Sequence, residues 1–240
     1  IIVLPIEVIL NEGCEIFSSG TTGPSKTIFR TPENIKSCNE IAIESQKLTK
    51  NSRVYTVCKM EHAAGLLAQT VPALSIGADV DIEKFNAYKF TRNIKNYTHT
   101  HLTPIHCEIL SKTKEFNKLD LSGLWITCGS SPVKWNHIEM FVSKGATFMA
   151  NWGMSEIGPC AINMTFGDLD RVKEHKIKSR QKSVLGDTFY VNYKIVGEEL
   201  YVKGDICVYD DWFATGDLVE KNSYKYGSKS HSILYFNKRK

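Results

Sequence analysis

Between Thr31 and Ala150 the apolar pattern switches repeatedly between strand-like and helix-like spacing, and few folds accommodate that. Thr31-Pro32-Glu33-Asn34 supplies a capping hydroxyl, a proline in the first turn and then an acid, so a helix is expected to open there and to end near Asn51. Val54–Val57 reads as a short strand. His62–Leu74 reads as a helix ended by Gly77, and Val80–Ile82 as a strand. Ala87–Asn96 is expected to be helical, Thr98–Leu102 a strand before Pro104, and Ile105–Leu110 a helix. Leu124–Thr127 (strand), Val133–Lys144 (helix stopped by Gly145) and Ala146–Ala150 (strand) complete the series. Strands alternating with helices imply an α/β fold with a parallel, doubly wound sheet flanked by helices. Ligands in such sheets sit beyond the carboxyl ends of the strands.

The two ends read differently. The apolar run Ile1–Leu10 is expected to form a β-structured edge. From about Ile162 the pattern changes: Asp168–Lys182 is charged and loop-like. Val191–Val196, Glu199–Val202 and Ile206–Tyr209 alternate over short stretches separated by Gly197 and Gly204. The expected second unit is small and mainly antiparallel β, giving a division into residues 1–160 and 161–240.

Charge and cysteine usage narrow the function classes. The net charge of +4 is mild, and the basic tail Asn237–Lys240 reads as a solvated end. No basic stripe is interleaved with aromatics, which disfavours nucleic acid as a partner. Ile1–Leu10 holds Pro5 and Glu7, lacks a basic leader and is too short to span a bilayer, so neither a membrane partner nor a signal peptide is expected. The seven cysteines are dispersed, odd in number and free of any C-x-x-C pair, which points to reduced thiols and a cytoplasmic location.

Phe17–Lys26, F-S-S-G-T-T-G-P-S-K, carries the chemistry. Gly20 and Gly23 let the backbone turn tightly and present N–H groups as an anion-binding concavity. Ser19, Thr21 and Thr22 add hydroxyls, and Lys26 adds a point charge suited to phosphate. The spacing differs from the G-x-x-x-x-G-K-[ST] nucleotide loop, and G-x-G-x-x-G is absent, so an ordinary NTPase is disfavoured. Three further stretches suit a nucleotide. Asn151-Trp152-Gly153-Met154-Ser155-Glu156 offers a stacking ring, a hydroxyl and a metal-binding carboxylate. Thr215-Gly216-Asp217 sets a carboxylate beside a turn, where it can accept ribose hydroxyls. Gly129-Ser130-Ser131-Pro132 offers a backbone surface for a flat ring.

Together these stretches resemble the adenylate-forming superfamily of acyl-CoA synthetases, peptide-synthetase adenylation domains and firefly luciferase. Ser18–Lys26 resembles S-G-[ST]-T-G-x-P-K, Trp152–Glu156 resembles aromatic-Gly-x-Thr-Glu, and Thr215–Asp217 matches T-G-D. His62–Gly65, Leu102–Pro104, Gly129–Pro132 and Glu199–Gly204 resemble the weaker motifs between them, in the same order. The resemblance implies ATP-dependent activation of a small-molecule carboxylic acid to an acyl-adenylate with release of pyrophosphate. ATP and Mg²⁺ are the implied cofactors, and coenzyme A or a carrier protein is a candidate acceptor.

It also implies roles. Ser19, Thr21, Thr22 and Lys26 would surround the β- and γ-phosphates, Gly129 and Ser130 would face adenine with Trp152 stacked on it, and Gly20, Gly23, Asn151 and Gly153 would belong to the same nucleotide site. Ser155 would touch the α-phosphate, Glu156 would bind Mg²⁺, Asp217 would hold ribose, and His62 would stand near the acyl pocket. Catalysis would fall to Lys26, His62, Ser155 and Glu156. The family usually shows Gly-Arg where this chain has Gly227-Ser228, so Ser228 is expected to replace a ribose-binding arginine. A shortened form lacking the C-terminal lysine domain is the matching expectation, with a nucleotide-binding protein of little turnover as the alternative. A metal site at His99, His101 and His106 lacks an acidic or cysteine partner in the sequence, and Cys128 lacks an activating histidine.

Overall fold

The computed structural model describes residues 5–18, 26–226 and 229–240. Its largest layer is a seven-stranded sheet. The strands are β3 (Arg53–Thr56), β4 (Asp79–Ile82), β5 (His99–Leu102), β6 (Trp125–Cys128), β7 (Thr147–Met154), β8 (Gly158–Phe166) and β10 (Thr188–Phe189), in the order β10-β8-β7-β6-β5-β3-β4. From β4 to β7 the neighbours run parallel, whereas β8 and β10 add antiparallel strands at one edge. A second sheet, wholly antiparallel, has the order β11-β12-β13-β14-β9. Its strands are β9 (Val184–Gly186), β11 (Asn192–Val196), β12 (Glu199–Lys203), β13 (Phe213–Tyr226) and β14 (Lys229–Arg239). The α/β sheet with a small antiparallel unit therefore stands. β8 runs unbroken through residue 160 within the larger sheet, so the change of architecture falls later than a division at 160/161.

The helices follow the capping signals. α2 (Pro32–Gln46) opens with a reciprocal capping box: Thr31 Oγ1 accepts from Asn34 N at 3.3 Å, and Asn34 Oδ1 accepts from Thr31 N at 3.4 Å. It ends before Asn51 because Lys47 turns left-handed at φ 55°. The helix expected over His62–Leu74 is divided into α3 (Ala63–Gly65), a wide π turn (Leu66–Thr70) and α4 (Val71–Ser75). Pro72 has no N–H to give the Ala68 carbonyl one turn back, and Gln46 Nε2–H donates to that carbonyl instead, at 2.6 Å. α5 (Ala87–Asn93), α6 (Pro104–Ser111) and α7 (Trp135–Val142) flank the sheet as expected.

Three expectations are corrected and one is refined. The N-terminal apolar run is not a β edge where it is described: Ile6–Glu12 forms α1, which buries Ile9 and ends at Gly13 with φ 83°. Only Cys14–Phe17 (β1) is extended, and it pairs antiparallel with β2 (Thr27–Arg30), so the glycine-hydroxyl loop joins the arms of a hairpin. Asp168–Lys182 is not a loop. Asp168 Oδ1 caps Arg171 N at 2.7 Å, and α8 (Leu169–Lys178) buries Val172 and His175 on one face while Lys178 pairs with Glu174 on another. Ile206–Tyr209 is a turn, with Cys207 N–H bonded to Gly204 O and Val208 N–H to Glu156 O. Finally, the basic tail is exposed as expected, but two of its cations are paired with the fold. Arg239 and Lys240 neutralise Asp217 and Glu199, which are 1% and 6% exposed and would otherwise be uncompensated buried charges.

Candidate active site

The carboxyl ends of β5, β6 and β7 open into a cleft of about 510 Å³. Its walls include Lys26 from the hairpin, His62 at the start of α3, Ser130 after β6, Asn151, Gly153, Ser155 and Glu156 around the end of β7, and Arg239 from β14. Residues far apart in sequence thus face one space, at the strand ends where parallel sheets bind ligands.

The mouth of the hairpin is tied to the acidic segment. Phe17 O accepts from His62 Nδ1–H at 2.9 Å and from Ser155 Oγ at 3.3 Å. Ser18 N–H and Lys26 O close the base of the loop at 2.9 Å, while Lys26 itself is exposed and lines the cleft. Ser19, Gly20, Thr21, Thr22 and Gly23 lie outside the described residues. Glu156 is half-buried, and its carboxylate has no hydrogen bond or ion pair among the described residues. Those residues contain no cluster of three or more metal-ligating side chains.

The structure brings Trp152, Asp217 and Arg239 together. Trp152 Nε1–H donates to Asp217 Oδ2 at 2.9 Å, and Arg239 Nε–H donates to Oδ1 at 2.6 Å. Asp217 and Trp152 do not line the cleft themselves; Arg239 does, in front of Asp217. Asp217 holds the Arg239 pKa above its ordinary range. The sequence reading missed this arginine and placed its loss at Ser228, which lies outside the described residues. A usable signal is the buried run Ile233-Leu234-Tyr235, which marks a strand leading directly into Arg239.

Gly129 and Ser130 stand at the end of β6, with only Ser130 on the cleft wall. A side chain at position 129 would come within 2.6 Å of the Asn151 carbonyl, so glycine is needed for β6 to approach β7. Ser130 adopts a left-handed φ of 73°. Asn151 is partly committed elsewhere, since its Oδ1 accepts from Cys160 N at 2.9 Å. Gly153 allows β7 to close on Gly158.

Arg30 is a second residue that sequence reasoning missed. It is fully buried, and no carboxylate pairs with it among the described residues; it donates instead to Ser155 O at 3.0 Å, to Ile206 O and to Cys38 Sγ at 3.1 Å. A cation is thereby fixed behind the Ser155–Glu156 turn, and no motif in the sequence marks it. The histidines considered as a metal site diverge: His99 Nε2 bonds Gln46 O at 3.0 Å, whereas His101 and His106 face the cleft. All seven cysteines are free and buried, and burial raises the Cys128 thiol pKa well above its ordinary value. No helix among the described residues is long and apolar enough to cross a membrane.

Comparison with known proteins agrees with this architecture. The family model described as AMP-binding enzyme matches residues 14–216. The indoleacetate–CoA ligase of Aromatoleum aromaticum is 26% identical over 243 residues, covering 91% of this chain and 48% of the ligase. The acyl-CoA synthetase FUM10 of Gibberella moniliformis is 25% identical over 148 residues, covering 60% of this chain and 27% of the synthetase. The chain therefore spans about half or less of the length of these relatives. Among solved structures, ATP-bound MatB from Rhodopseudomonas palustris superposes with a TM-score of 0.71 at 19% identity, over 94% of this chain and 48% of MatB. The inhibitor-bound N-terminal domain of FACL13 from Mycobacterium tuberculosis gives 0.72 at 19% identity, over 94% of this chain and 60% of that one. With most of its length matched by the family model, this chain belongs to the family of AMP-binding enzymes.

Proposed function

We propose that this chain binds ATP and a carboxylic acid in the cleft and joins them as an acyl-adenylate. The observation that carries the reading is the meeting of Lys26, Ser155, Glu156 and Arg239 on one wall system at the sheet's carboxyl edge. The substrate carboxylate oxygen forms a bond to the α-phosphorus, and the bond from that phosphorus to the bridging oxygen breaks, releasing pyrophosphate. The nucleophile is already anionic, so no general base is required. The protein's task is to align two anions and offset the charge that accumulates between them.

Each residue has a matching part. Lys26 faces the phosphates as a point charge, and the Ser155 hydroxyl can turn from Phe17 O toward the α-phosphate. Arg239 presents its remaining N–H donors to the ribose, oriented from behind by Asp217 and Trp152. Ser130 borders the adenine, and Gly129 behind it lets β6 approach Asn151. Glu156 is the residue to hold Mg²⁺; a single free carboxylate fits an ion that takes its other ligands from phosphate and water. That ion would neutralise phosphate charge. Coenzyme A or a carrier thiol is the proposed acceptor of the acyl group, as the names of the ligase relatives suggest.

The test is pyrophosphate release, and exchange of labelled pyrophosphate into ATP, across a panel of carboxylic acids. Release that depends on one class of acid supports adenylation. ATP binding without exchange for any acid overturns it and leaves a nucleotide-binding role.

A further inference from the structure

Two histidines in the cleft have no part in the nucleotide chemistry described above, and their hydrogen bonds define their tautomers. His101, on β5, is 2% exposed, and its Nδ1 lies 2.7 Å from Ala64 O. A carbonyl only accepts, so Nδ1 carries the proton and Nε2 of the neutral ring is left as a bare acceptor. That Nε2 is buried and has no hydrogen-bond partner among the described residues. His106, on the first turn of α6, is arranged the opposite way. Its Nδ1 accepts from Thr103 N at 3.3 Å, so its proton sits on Nε2. The His106 ring is held flat against Phe85, with centroids 4.0 Å apart. Burial keeps both rings neutral, lowering each pKa to about 4.

The two imidazoles line the same cleft and are close enough to influence each other electrostatically. One offers an acceptor and the other a donor, beside the apolar wall of Ala63, Ala64 and Pro159. A buried acceptor left without a partner is unfavourable, and a ligand that supplies a donor there relieves it. The substrate's own carboxylate cannot be that group, because an anion facing a bare lone pair is repelled. The donor must belong to the rest of the acid.

Resting on the proposed acid-binding role of this cleft, we infer that its substrate is a compact, largely apolar carboxylic acid bearing a hydroxyl or ring N–H group that His101 Nε2 and His106 Nε2–H recognise. A hydroxyl satisfies both rings at once, donating to His101 and accepting from His106. An N–H satisfies His101 alone. His101 is thus a specificity-determining residue, and Ala64 O sets its tautomer.

The experiment measures equilibrium binding of matched acids to the 240-residue chain by calorimetry, so its outcome does not depend on turnover. The probes are 4-hydroxyphenylacetate, 3-hydroxyphenylacetate and indole-3-acetate, each against its partner lacking the donor (phenylacetate, or the N-methylated indole). At least one donor-bearing acid should bind about tenfold tighter than its partner, as expected when a buried acceptor is satisfied. His101→Leu should bring that ratio close to one, and His106→Phe should reduce it for the hydroxylated acids only. Equal affinities within every pair, or no binding of any acid to the unaltered chain, overturn the inference. The unaltered-chain comparison stands even where a variant fails to fold. Pyrophosphate release with the same acids reports separately on adenylation: release without discrimination removes this inference and keeps the reaction.

Discussion

Arg239 lies directly across the β13–β14 pair from Asp217, and its Nε–H meets Oδ1 at 2.6 Å while the carboxylate is 1% exposed. They stand 22 positions apart on a long hairpin whose register brings the pair together. The aspartate is buried in a state that requires a counter-charge, and the arginine carries that charge to the cleft wall.

Among the described residues, Arg239→Ala therefore leaves the Asp217 carboxylate with the Trp152 N–H as its remaining side-chain donor. Removing one partner of a buried hydrogen-bonded pair costs about 1–3 kcal/mol, and urea unfolding should register a loss of that size. Adding Asp217→Asn should recover part of it, because the stranded charge is gone; an additive double mutant would show that the pair is not coupled. Under the proposed reading both Arg239→Ala and Asp217→Ala weaken ATP binding in calorimetry, and unchanged affinity in both argues against a ribose site here.

Glu156→Gln keeps the shape of the side chain and removes its charge. Since the Glu156 carboxylate makes no hydrogen bond or ion pair among the described residues, folding stability should change by less than about 0.5 kcal/mol. Mg²⁺-dependent pyrophosphate release should fall far more than ATP affinity measured without the metal. Equal losses in the two assays would remove the proposed metal role.

Ser130 adopts φ 73° at the end of β6, a conformation that costs a residue with a side chain about 1–2 kcal/mol. Ser130→Gly relieves that strain but gives the unfolded chain more freedom, worth about 0.4–1 kcal/mol in the other direction. The net effect should be a stabilisation of a few tenths to about 1 kcal/mol, read as a higher melting temperature. A lower melting temperature would mean that the serine hydroxyl holds the loop in place.

Local signals in the sequence carried most of the architecture and less of the site. Thr31-Pro32 marks the start of α2 because capping chemistry is confined to four residues. The β–α alternation marks the parallel sheet because a one-sided or buried strand shows its period directly. α8 escaped because only Val172 and His175 are buried along it, leaving almost no apolar stripe to read. Arg239 and Arg30 escaped for another reason. Each acts on a partner that tertiary pairing brings near, Asp217 across a long hairpin and Ser155 O 125 residues away. A basic tail and an arginine at a strand end both look unpaired until the opposing carboxylate or carbonyl is known to lie beside them.

The neutral histidines make stability depend on pH in a window of their own. Burial lowers His101 and His106 to about 4, and it also lowers His99, His137 and His175. In the unfolded chain an imidazole titrates near about 6.5, so between about pH 4 and 6.5 the unfolded state binds more protons than the folded one. Stability is accordingly fully present above that upper value and is lost as pH falls toward the lower one. Each histidine contributes a slope of up to about 1.4 kcal/mol per pH unit. Carboxylates with depressed pKa values, such as Glu108 and Glu220, add their own loss below about 4.5, so the interval from about 5 to 6.5 belongs to the histidines. Urea unfolding across that interval should show stability rising with pH, and His101→Asn, which cannot titrate, should flatten the rise. A profile that is level there for the unaltered chain would mean that the buried rings take up protons as readily as free ones, which the His101 Nδ1 bond to Ala64 O and the enclosed Nε2 oppose.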